Sequence, residues 1–218
     1  MTAAPFFLFM QQAGVPLETF AMLLIVPLVA TVIVFARQIV GLKGFNIFTP
    51  LITALVFTDL GLEYGLAVFV LVVLISALTR LLLKKVRLQY LARMALVITA
   101  VTIALFLLFA LALLFSGLNL TKVSILPLLV LIALTEQFVA VNIEHGPKVA
   151  FTLTAETLLT AVAGFGLMTW PWLRQVVLQW PEYFIAAVIL INFLLGRWTG
   201  LRLLELWRFR ALLKNKEL

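Results

Sequence analysis

Seven long apolar runs, at about 17–37, 44–60, 63–83, 93–116, 122–141, 149–170 and 183–203, fill most of this 218-residue chain, with short polar stretches between them. One helix crossing a bilayer needs about 20 mainly apolar residues, so the pattern predicts an all-α, polytopic membrane helix bundle with about seven spans. Composition closes off the alternative. The chain is 65% hydrophobic and 11% charged, against roughly 45–50% apolar and 25% charged in a soluble domain.

Charge is distributed unevenly between the loops. One set of alternate loops and the C-terminal tail hold Arg37, Lys43, Arg80, Lys84, Lys85, Arg87, Arg93, Lys148, Arg197, Arg202, Arg208, Arg210, Lys214 and Lys216, whereas the other set holds Lys122 and Arg174. Basic loops stay in the cytoplasm, so the N-terminus is expected outside and the C-terminus in the cytoplasm. An odd number of spans is required for that result, in agreement with seven. The net charge of +7 therefore points to anionic lipid and cytoplasmic loops and not to nucleic acid. Trp170, Trp172, Trp180 and Tyr183 fall at the expected outer ends of the last two spans, where interfacial aromatics anchor a bundle. The resulting division is a short extracytoplasmic segment over 1–16, a membrane domain over 17–204 and a basic cytoplasmic tail over 205–218. The tail, from Arg197 onward, alternates basic and apolar residues as an interfacial helix does, which makes Arg197, Arg202, Arg208 and Arg210 candidates for docking a partner. The apolar patch Phe6–Met10 follows no basic region, so a removable signal peptide is not expected.

Pro50 and Pro127 anchor an internal similarity. Ile47-Phe-Thr-Pro50-Leu-Ile52 aligns with Ser124-Ile-Leu-Pro127-Leu-Leu129, and nine residues after each proline stands an acid, Asp59 or Glu136, preceded by Thr58 or Thr135. Allowing four extra residues in the second copy, Glu63-Tyr-Gly65 meets Glu144-His-Gly146. Repeats over 17–83 and 93–170 would each hold three spans, so the second would be inverted in the membrane, with an added helix at 183–203. The proline-bearing stretches are also short, 15 residues between Lys43 and Asp59 and 13 between Lys122 and Glu136. At 1.5 Å per residue they reach about 22 and 20 Å, below a core about 30 Å thick, so broken or re-entrant segments are expected at both. Such segments mark the central site of many transporters.

Glu156 is the most conspicuous polar residue, a carboxylate well inside the sixth run. In lipid it must be neutral, paired or wetted. With Glu136, Gln137, Asp59, Thr58, Thr135, Asn192, Pro50 and Pro127 it forms a candidate substrate pathway, although threonine and asparagine also serve as ordinary links between membrane helices. His145 is the single histidine and the chain has no cysteine, which leaves no metal-ligand set, thiol nucleophile or disulfide. No phosphate-binding loop or catalytic triad is present, so neither a cofactor nor an enzyme activity is expected.

The stretches Arg37-Gln-Ile-Val-Gly41-Leu-Lys-Gly-Phe-Asn-Ile-Phe-Thr-Pro50-Leu-Ile-Thr-Ala-Leu-Val-Phe57 and Ile191-Asn-Phe-Leu-Leu-Gly-Arg197-Trp-Thr-Gly-Leu-Arg202 resemble the bacterial seven-helix membrane domain usually fused to an inactive transglutaminase-like domain. The likeness runs from about residue 17 to 213. More distantly, the segments after Pro50 and Pro127 resemble the membrane C subunit of poly-γ-glutamate synthase, with Leu51 and Leu128 in place of that subunit's glycine. These resemblances imply a non-catalytic membrane component beside a cytoplasmic ATP-grasp amino-acid ligase, anchoring it or exporting or holding an acidic, peptide-like product. The transglutaminase-like domain expected ahead of the first span is not in this sequence, which fits an excised membrane domain or a short variant. An independent secondary transporter using Glu156 and the two short segments, and a seven-helix sensor, are the competing expectations, and a homo-oligomer is compatible with all three.

Because the chain has no cysteine, single introduced cysteines report sidedness cleanly. Lys85→Cys should react with an impermeant maleimide only after lysis and Arg174→Cys in intact cells; the reverse would invert the orientation.

Overall fold

The computed structural model describes residues 17–116, 125–198 and 200, with the side chains of 112–116 and 125–126 excepted. Eight α-helices succeed one another: α1 Leu17–Phe35, α2 Phe48–Leu60, α3 Leu62–Leu83, α4 Tyr90–Ser116, α5 Ile125–Glu144, α6 Pro147–Thr169, α7 Pro171–Gln179 and α8 Pro181–Gly196. A π-helical turn, Ala36–Val40, extends α1. No strand occurs among the described residues. The polytopic all-α bundle expected from hydropathy is thus the observed class.

Among the described residues five stretches are long and apolar enough to cross a membrane: Leu17–Val40, Leu62–Leu83, Tyr90–Leu111, Pro127–Glu144 and Pro147–Thr169. Helices α7 and α8 count as a sixth only if taken together, and they meet at a bend of 106°. The remaining apolar helix, α2, has 13 residues, about 20 Å at 1.5 Å per residue, and is as short as its sequence implied. Outward-facing apolar side chains complete the picture: Phe106 is 73% and Leu91 78% exposed, a surface suited to lipid and not to water.

Two departures from the hydropathy reading have clear causes. The stretch Trp170 to Glu182, expected as a loop, holds helix α7. Pro171 occupies its first turn, where a missing N–H costs nothing, and Leu173 and Val177, four apart, are its buried residues. Such an amphipathic helix lacks the continuous apolar run that marks a span. Pro50 also behaves differently from expectation. It is the third residue of α2, among the first four N–H groups that have no intrahelical partner, and so opens that helix; Pro127 lies in α5. The proline inside a helix is Pro27 of α1, below which the Thr31 hydroxyl donates to the Pro27 carbonyl at 2.8 Å.

The chain forms two compact units, Met1–Leu51 with Leu159–Leu218, and Ile52–Leu158. Their boundaries fall inside α2 and α6 and do not coincide with the proposed repeats over 17–83 and 93–170. In the first unit α1 packs on α7 and α8, through a strip of Ala21, Ile25, Val29 and Ile33 spaced four apart along one helix face. In the second, α3 lies against α4 and α5, and α4 against α5. Its core comprises Val68, Phe69 and Val72 of α3, Val97, Val101 and Leu105 of α4, and Leu131, Leu134 and Phe138 of α5.

Within the second unit two turns are built alike. Gly61, at φ 82° and ψ 151°, joins α2 to α3 as a single residue, and Gly146, at φ 86°, precedes α6. Both need the backbone freedom of glycine. Across each turn two phenylalanines meet edge to face, Phe57 with Phe69 at 6.3 Å and Phe138 with Phe151 at 5.4 Å. The turn equivalent to Gly146 is therefore at Gly61, whereas Gly65, its partner in the sequence alignment, is inside α3.

Gly65 is fixed by packing. A Cβ there would lie 2.5 Å from Phe57 Cδ1, and Phe57 is fully buried. Gly65→Ala should therefore destabilise the protein by about 1–3 kcal/mol, overriding the roughly 1 kcal/mol helix-propensity gain. Gly166→Ala, where a Cβ would meet nothing within 4 Å, should be neutral or stabilising; thermal unfolding in detergent distinguishes the two.

Candidate functional site: a cationic cavity

The ends of α3, α4, α5 and α6 that lie away from Gly61 gather most of the second unit's positive charge. Arg80 stands in the last turn of α3, Lys84 follows that helix, and Arg93 falls in the first turn of α4. With Asn142 of α5 and the Gly146-Pro147 turn they line a cavity of about 270 Å³, whose other walls are the apolar side chains of Ala77, Leu81, Ile143 and Phe151. Among the described residues no carboxylate lines it. Glu144 faces His145 at 3.8 Å instead, both well exposed.

Two atoms of this cavity's side chains are buried without a protein partner: the Nε of Arg93 and the Oδ1 of Asn142. Asn142 is 3% exposed. The Arg93 Nη2 has a long hydrogen bond, 3.5 Å, to the Leu88 carbonyl. Leaving a buried polar atom unsatisfied costs about 1–3 kcal/mol, so a donor and an acceptor held this way in one cavity favour a ligand or ordered water that can satisfy both. The arrangement can recognise an anion; it offers no nucleophile with an adjacent base.

The structure distributes the residues singled out in the sequence. Asp59 is exposed near the C-terminal end of α2, two residues before Gly61, and so at the opposite end of the second unit from the cavity. The Thr58 hydroxyl donates to the Ala54 carbonyl at 3.0 Å, and that of Thr135 to the Ile132 carbonyl at 2.6 Å. Glu136 is exposed, while Gln137 and Glu156 are half-buried. Glu136 and Glu156 stand ten residues before and after Gly146, each about 15 Å along its helix from that turn. Asn192 belongs to the first unit, where its Nδ2 donates to the Thr31 Oγ1 at 2.6 Å and the Val188 carbonyl at 3.0 Å. Pro50 is buried in the same unit, and Pro127 is buried in the second. Arg197 is exposed, with its guanidinium 5.3 Å from the Phe193 ring centroid. The segments 1–16 and 205–218, together with Arg202, Arg208 and Arg210, lie outside the described residues.

Arg80, Arg93 and Asn142 were not marked by the sequence as a site. The two arginines read there as ordinary positive-inside residues, since nothing in a loop's composition tells which of its cations turns inward. Asn142, an amide just past an apolar run and four residues before a glycine, carried the one available signal.

Fold and site together define a polytopic helical membrane protein. The chain matches, over residues 8–213, the family described as "7 transmembrane helices usually fused to an inactive transglutaminase", and it belongs to that family. No curated protein and no solved structure matches it.

The Asn192–Thr31 bond joins α8 to α1, and interhelical hydrogen bonds in membranes contribute on average about 0.6 and at most about 1.7 kcal/mol. Asn192→Ala should lower stability within that range, measured by unfolding in mixed micelles, while Thr31→Ala/Asn192→Ala should cost less than the sum of the single changes.

Proposed function

We propose that the chain is a non-catalytic membrane module of the bacterial cytoplasmic membrane, N-terminus outside and C-terminus inside, that works beside a cytoplasmic ATP-grasp amino-acid ligase. It anchors the ligase, or holds or exports the acidic, peptide-like product. The observation that carries this reading is the cationic end of the second unit, where Arg80, Lys84 and Arg93 converge on a cavity without a lining carboxylate. The basic, apolar pattern from Arg197 onward supports a docking role for Arg197, Arg202, Arg208 and Arg210 in the sequence. The resemblance to the membrane subunit of poly-γ-glutamate synthase supplies the class of partner. Family membership agrees with a non-catalytic role, because the domain usually fused to this one is itself described as inactive.

The test is recovery of the complex. Affinity purification of the full chain from gently solubilised membranes should bring down a cytoplasmic ATP-grasp ligase, and deletion of residues 197–218 should abolish that association. Absence of any such ligase from the intact chain's complex would remove the reading. Association unchanged by the deletion would remove the tail's part in it.

A further inference from the structure

We infer that the cavity between the basic ends of α3–α6 binds the phosphoryl headgroup of an anionic phospholipid. Three cations, Arg80, Lys84 and Arg93, line it with no carboxylate beside them, which selects an anion and discriminates against a zwitterionic headgroup. Arg93 Nε and Asn142 Oδ1 are buried there without protein partners, one a donor and the other an acceptor. An anion without a hydroxyl satisfies the first alone. A phosphodiester with a hydroxylated headgroup satisfies both, its phosphoryl oxygen accepting from Arg93 and its hydroxyl donating to Asn142.

The rest of the lining fixes the source of the phosphoryl group. Ala77, Leu81, Ile143 and Phe151 give the cavity an apolar wall, and Leu81 and Phe151 remain 63% and 42% exposed to the surroundings. Arg80 and Arg93 lie at adjoining ends of the spans Leu62–Leu83 and Tyr90–Leu111, the level of lipid headgroups. A soluble phosphate needs no apolar wall; an amphiphile does. At about 270 Å³ the space falls just below the roughly 300–1,000 Å³ of complete small-molecule sites, which suits a headgroup whose acyl chains stay in the bilayer. This assignment stands whether or not a ligase is the partner.

The full chain, purified in neutral detergent, is titrated with phosphatidylglycerol, phosphatidylcholine, glycerol phosphate and inorganic phosphate, with thermal unfolding and native mass spectrometry as readouts. Phosphatidylglycerol should raise the Tm and remain bound, and the other three should not. Arg80→Gln/Arg93→Gln should weaken phosphatidylglycerol binding by about tenfold or more, and the isosteric Asn142→Asp, which places a negative charge in the cavity, should do likewise. Lys85→Gln/Arg87→Gln removes the same charge from exposed residues outside the lining and should leave binding intact. Equal binding of phosphatidylcholine, or an equal loss in the Lys85/Arg87 control, would overturn the site. An equal shift from inorganic or glycerol phosphate would overturn its assignment to lipid.

Discussion

Lipid offers a polar group no water, so the backbone and every hydroxyl within the spans must find partners in the protein. Helices settle the backbone at once, and the side chains follow the same rule at short range. The hydroxyls of Thr31, Ser76, Thr99, Thr102, Thr152 and Thr154 each donate to the carbonyl four residues earlier. Such bonds use acceptors that already serve the helix and let polar residues enter the bundle at little cost. They also explain why a set of threonines along a sequence is weak evidence for a pathway: Thr58 and Thr135, read as pathway candidates, direct their hydroxyls to their own helices. Asn192 is different because its amide reaches another helix, and it spends that reach on Thr31.

Against this background the end of the second unit stands out. Arg93 Nε and Asn142 Oδ1 break the rule of local satisfaction, and they do so in the same cavity. A bundle that satisfies its threonines so economically has no structural reason to leave an asparagine in an apolar helix with an idle carbonyl. Sites that violate a rule these hydroxyls obey are where function is to be sought.

The periodic and punctuating features were legible in the sequence, and the three-dimensional ones were not. Seven apolar runs correspond to seven of the eight helices among the described residues, because hydrophobic length is a one-dimensional property. Helix α7 escaped because it is amphipathic, with Leu173 and Val177 turned inward among Trp172, Arg174, Gln175 and Gln179; the proline that opens it was visible. Pro50 drew attention because it sits in a short apolar run, but proline at the third residue begins a helix where proline in the interior distorts one. Gly61 and Gly146 are equivalent in conformation and not in the sequence alignment, since backbone dihedrals leave no mark beyond the glycine itself. The inward turn of Arg80 and Arg93 depends on how α3, α4 and α5 meet, which no window of sequence contains.

The electrostatics of single helices separate the residues that stabilise the fold from the one that does not. Helix α3 carries Glu63 in its first turn and Arg80 in its last, each complementing the partial charge at its own end of the helix. Both would be chosen for stability alone, and Lys84 sits beside the same carbonyl end. Arg93 is placed the other way round, a cation in the first turn of α4, where the exposed N–H groups already carry positive character. No acid accompanies it in that turn. It also shares the cavity with two further cations. The N-terminal end of α4 and the three cations therefore raise the positive potential at one point, partly offset by the carbonyl ends of α3 and α5. A cation that opposes its own helix and its neighbours in this way contributes most by attracting an anion, and the attraction is greatest for one that can touch all three.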